Sequence, residues 1–78
     1  MGDRITLLGR QFQFTDVRPA AEQATPIRVG DTVVARSGNV NDTLEVYDTV
    51  ENGRPLYPER LEADYPQIEV AYQGQTTS

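Results

Sequence analysis

The apolar residues of this chain recur mainly at every second position. Residues 11–17 (QFQFTDV) put Phe12 and Phe14 on one side and Gln11, Gln13 and Thr15 on the other. Residues 67–72 (QIEVAY) set Ile68, Val70 and Tyr72 against Gln67, Glu69 and Ala71. A period of two belongs to a half-buried β-strand, whose successive side chains leave opposite faces. Residues 27–35 (IRVGDTVVA) carry the strongest strand pattern, interrupted at Gly30-Asp31, and residues 4–8 (RITLL) a shorter one with Ile5 and Leu7 on one face. Between 4–8 and 11–17, Gly9-Arg10 fits a two-residue type II′ turn. One long strand bulged at Gly9 is the alternative.

Residues 43–51 (TLEVYDTVE) fit two patterns. As a helix, Asp42 is the N-cap, Glu45 completes a capping box and Asn52-Gly53 closes the C-terminus. As a strand, Leu44 and Val46 share one side, and the richness in Thr and Val favours extended backbone. The strand is the preferred reading, and Asn52-Gly53 then becomes a type I′ hairpin turn. Residues 55–57 return as a short edge strand, because proline cannot donate to a ladder. Residues 58–64 (PERLEAD) open with proline and read as a helical turn. Residues 18–26 (RPAAEQATP) form a surface loop with one helical turn at 20–24, or an arm that docks on a neighbour. Residues 36–42 are a turn cluster.

This pattern predicts an all-β fold: a small SH3-like barrel or sandwich of about five to six short strands, with one helical turn near 58–64. Residues 1–72 form a single β domain and 73–78 a flexible polar tail. The expected core is Ile5, Leu7, Phe12, Phe14, Ile27, Val29, Val33, Leu44, Val46, Leu56, Leu61, Ile68 and Val70.

Composition narrows the chemistry. The chain has no His, Cys, Lys or Trp, and all seven basic residues are Arg. No imidazole shuttles protons near neutrality, no thiol or lysine amine attacks, and the soft metal ligands are missing. The hydroxyls of Ser37 and residues 76–78 have no base to activate them. The reading is therefore not an enzyme, with no cofactor and no metal. A formal charge of -5 argues against nucleic acid or an anionic membrane as partner, since phosphate binding rests on cationic side chains. No long apolar run marks a signal peptide or a membrane span, so a cytoplasmic or virion setting is expected. With 78 residues and 37% hydrophobic content, the core is lean, and assembly adds the apolar burial that a monomer lacks.

Residues 29–38 (VGDTVVARSG) resemble the opening of many SH3-like barrels, a V-G-D-x-V strand followed by a Ser-Gly turn. The resemblance extends through Tyr47, about half the chain. The plasmid-borne type II dihydrofolate reductases share the pattern; they are SH3-like chains that form a tetramer around one pore. Gly30, Asp31, Val33, Ser37 and Gly38 match it, and Gln67 and Ile68 match part of a later strand motif. Ala35 stands at that family's functional lysine and Glu69 at its tyrosine, so the activity does not carry over.

The carboxylates Asp42, Glu45, Asp48, Glu51, Glu59, Glu62 and Asp64 read as a solvated face rather than a catalytic pair or a Ca²⁺ loop, which lacks its glycine because Leu44 holds that position. Arginine suits subunit contacts through its planar fork, and tyrosine offers a stacking surface. The expected interface residues are Arg18, Arg28, Arg36 and Arg54 with Tyr47, Tyr57 and Tyr72, and Arg60 joins the arginines as a carboxylate partner. The expected function is a non-catalytic structural or protein-interaction subunit. It assembles with copies of itself or with a larger protein partner, and a phage or virion component of connector, tail or decoration type is a natural home. The alternatives are an acidic inhibitor of a host protein and an oligomeric pore-type reductase.

Overall fold

A computed structural model describes residues 12–38, 43–74 and 76–77. The expected strand at 4–8, the turn at Gly9-Arg10 and the core residues Ile5 and Leu7 lie outside these residues, as do residues 39–42. The chain is built mostly of strands: β1 (Gln13–Asp16), β2 (Thr32–Ser37), β3 (Thr43–Glu51), β4 (Arg54–Pro55), β5 (Ile68–Ala71) and β6 (Thr76–Thr77). The described residues also include one helical turn, α1 (Ala20–Gln23), and a 3₁₀ turn at Pro58–Arg60. The segment at 43–51 is a strand, as its Thr and Val content favours.

The sheet runs in the order β5-β2-β3-β1-β6, and β4 pairs with β3. β2 is antiparallel to both β3 and β5, whereas β1 is parallel to β3 and to β6. Among the described residues the result is an all-β mixed sheet that does not close, which corrects the barrel form of the expected barrel or sandwich. The reason lies in β1: a parallel neighbour on each side replaces the run of antiparallel hairpins that a small barrel needs. Thr76–Thr77, in the stretch expected to be a flexible tail, pairs with Phe14 and Thr15.

The tight turn between β3 and β4 follows from two residues. Asn52 and Gly53 have φ of 55° and 76°, and Glu51 pairs with Arg54 across them. Positive φ at both central positions is the type I′ geometry, whose twist matches that of the strands it joins. Gly30, with φ of 98°, ends the expected long strand at 27–35. There the chain turns: the Asp31 N–H donates to the Arg28 carbonyl, and the Asp31 carboxylate accepts from the Arg28 N–H at 2.9 Å. Val29 is thrown outward and is 74% exposed, which removes it from the expected core.

Phe14, Val33, Ala35, Leu44, Val46 and Tyr72 form the core on one face of the sheet, with Phe12, Ile27 and Val70 packed against it. The Phe14 and Tyr72 rings meet at 4.9 Å and 56°, a tilted contact favoured by the ring quadrupoles. Leu56 and Ile68, also expected inside, are 40% and 38% exposed, and Leu61 is half-buried. Val34 is buried on the opposite face, away from the main cluster.

A bulge in β3 explains that second buried position. Ala35 opposes Val46 but Val34 opposes Asp48, so Tyr47 is the extra residue. An inserted residue shifts the strand's alternation by one. Beyond it, Thr49 faces the core side opposite Val33, and Asp48 lies beside Val34 on the other side.

Candidate functional site

The register of β2 and β3 sets Arg36 directly across from Glu45. Arg36 Nε lies 3.5 Å from Glu45 Oε1, and the Tyr47 hydroxyl donates to the same oxygen at 3.1 Å. The Arg36 guanidinium sits 4.7 Å from the centre of the Tyr47 ring and 4.3 Å from that of Tyr65. A cation between two ring faces is held by both quadrupoles. Burial lowers the Arg36 pKa, but Tyr47 and Glu45 raise it by more, so the cation is reinforced. Burial pushes the Tyr47 phenol up, and the hydrogen bond to Glu45 and its charge push it further, against the lowering by Arg36. A phenol shifted upward stays neutral at ordinary pH. This arrangement is suited to stacking and to charge recognition.

Tyr65 reaches Arg36 because residues 56–67 cross this face and are tied to it. Asp48, 1% exposed, accepts from the Thr49 N–H at 2.7 Å and from the Tyr57 N–H at 2.8 Å. Arg60 donates to the Tyr47 carbonyl and pairs with Glu22 of α1 at 3.3 Å. Glu22 is buried, and neither of its carboxylate oxygens accepts a hydrogen bond among the described residues. Asp48 was expected on a solvated face. The bulge at Tyr47 instead turns it under the crossing segment, where its two oxygens satisfy two backbone donors.

Arg18 organises the loop before β2. Its Nε and Nη2 grip the two Asp16 oxygens at 2.8 and 2.6 Å, and its Nη1 donates to Thr49 Oγ1 at 3.1 Å. Nη2 also donates to the Thr25 carbonyl at 3.1 Å. Gln23 closes the loop by donating to the Arg18 carbonyl at 2.5 Å. A two-pronged arginine–carboxylate contact fixes geometry as well as charge. Residues 18–26 are therefore stapled to β1 and β3 rather than extended as an arm.

Of the seven residues expected at an interface, the structure brings Arg36 and Tyr47 together and adds Tyr65 to them. Tyr57 is 40% exposed, on the same crossing segment. Arg28 and Arg54 are exposed, at the turn before β2 and on β4. Arg18 and Tyr72 are buried inside the domain, in the Asp16 contact and in the core, and offer little surface. The arginine pairs expected across a subunit contact are formed within the chain: Arg18 with Asp16, Arg36 with Glu45, Arg60 with Glu22. The Arg36–Glu45 pair was within reach of the hairpin register; the Arg60–Glu22 pair joins segments whose meeting no local pattern announces.

Ala35, at the position of the reductase lysine, is fully buried in the core. Among the described residues no three carboxylates converge in a way that holds a metal ion, and no helix is long and apolar enough to cross a membrane. The chain matches no protein-family model, no curated protein and no solved structure.

Proposed function

We propose that this chain is a non-catalytic subunit that works by assembly, with copies of itself or with a larger protein. The observation that carries the reading is the aromatic surface of the crossing segment. Tyr57 and Tyr65 are 40% and 48% exposed, and Tyr65 with Tyr47 already holds a guanidinium. Tyrosine and arginine are the residue types that dominate binding energy at protein interfaces, because they bring large area and polar contacts at small entropic cost. Leu56, 40% exposed, adds apolar surface at the start of the same segment. The lean core argues in the same direction, since a partner supplies further burial. The connector, tail or decoration setting expected from a short, acidic, lysine-free sequence belongs with this reading.

The test is the native mass of the chain in an extract of the cells or virions that contain it. It is expected to migrate well above the 8.7 kDa of one copy. Migration as a single copy, in extract and across a dilution series of the pure chain, defeats the reading.

A further inference from the structure

The formal charges on the crossing segment and β5 are not balanced. Between residues 56 and 71 there are four acids, Glu59, Glu62, Asp64 and Glu69, and one cation, Arg60. Arg60 is turned inward onto Glu22 and the Tyr47 carbonyl. Arg36, which touches Tyr65, is engaged by Glu45 and two rings. The four carboxylates are all exposed, and among the described residues none of them forms an ion pair. Tyr57 precedes the four acids in sequence and Tyr65 lies between Asp64 and Glu69, and both tyrosines are exposed. Glu69 lies on β5, across from Val34 on the face that Arg36 occupies.

We infer that this surface docks an arginine-bearing, extended segment of a partner protein, with Tyr57 and Tyr65 as stacking faces and Glu59, Glu62, Asp64 and Glu69 as the charge rim. The inference rests on the assembly reading above and names the partner's chemistry. Charge complementarity selects the occupant: opposed potentials steer association and set register, whereas like charges repel. A second copy docked face to face brings four carboxylates against four and is disfavoured. The Arg36 contact shows that Tyr47 and Tyr65 accept a guanidinium plane, which a lysine ammonium does not match in shape.

The experiment is fluorescence anisotropy of the full chain with a short labelled peptide alternating arginine and serine, beside lysine and glutamate counterparts. The arginine peptide is expected to bind saturably and most tightly, and to weaken as salt screens the rim. The double substitution Glu62→Gln/Asp64→Asn is expected to weaken binding about fivefold, and Tyr57→Ala or Tyr65→Ala about threefold each, while Tyr65→Phe keeps it. Glu51→Gln, a loss of charge at the end of β3, is expected to change affinity by less than about twofold. The exposed Glu62/Asp64 pair keeps the test valid where an aromatic variant fails to fold. No binding of the arginine peptide, equal binding of the glutamate peptide, or an equal loss from Glu51→Gln overturns the inference. A high native mass with any of those results leaves assembly standing and removes only this partner chemistry; a face-to-face dimer of the chain does the same.

Discussion

Asp48 is the residue on which local order turns. It is sealed from water and accepts two backbone hydrogen bonds, one from its own strand and one from the segment that crosses it. Removing one partner of a buried hydrogen bond leaves the other unsatisfied, which costs about 1–3 kcal/mol. Asp48→Ala leaves the Tyr57 N–H in that state and opens a void beside Val34, so a loss of about 2–4 kcal/mol is expected from urea unfolding. Asp48→Asn keeps one acceptor and is expected to lose less. Tyr47 makes a different prediction. Its pKa is raised in the folded chain, so the native state holds the phenolic proton more tightly than the unfolded chain does. The stability this gives is fully present below the ordinary tyrosine value of 10.0 and is lost as pH rises from there through the folded value. Unfolding measured from pH 8 to 11 is expected to show that fall, and Tyr47→Phe to make it shallower. Equal slopes in the two proteins defeat the assignment.

At the scale of elements, the strands were legible because their cues are local. Alternation at 11–17 and 67–72 announced β1 and β5, and Asn52-Gly53 announced the hairpin with its turn type. That turn is a test in itself. Gly53 sits at φ of 76° with open space where a Cβ would stand, so Gly53→Ala meets backbone strain and no clash. A loss of about 1 kcal/mol is expected in thermal or urea unfolding. A neutral result means that the turn relaxes freely. What alternation did not reveal was face assignment beyond an irregularity. The bulge at Tyr47 inverts the side on which Asp48 and Thr49 lie, and the turn at Gly30 ejects Val29. The first shifts the pattern by one position and the second breaks it, and neither changes composition. In the candidate site, Arg36 and Tyr47 were legible as interface-type residues, and their pairing with Glu45 follows from the hairpin. Tyr65 was not, because its place depends on a loop held by Asp48 and Arg60 contacts that no spacing encodes.

Over the whole molecule, charge is sorted by direction. Three arginines turn inward to carboxylates of their own chain, and the acids of residues 56–71 are left facing out. Among the described residues, four of the exposed acids thus fall within one stretch of sixteen residues. This sorting gives the assembly reading its direction and makes the peptide test one of place as well as of charge. The expected barrel failed at the same scale: hairpins are visible in neighbouring residues, whereas the parallel strand β1 is defined by partners far along the chain. Those partners arrive late during synthesis. β1 finds β3 only after residues 43–46 are made, and its other flank waits about sixty residues for Thr76. Until then its free backbone donors and acceptors stand open on the nascent polypeptide, the stage at which a ribosome-bound chaperone or a neighbouring nascent chain has the best chance of reaching them first.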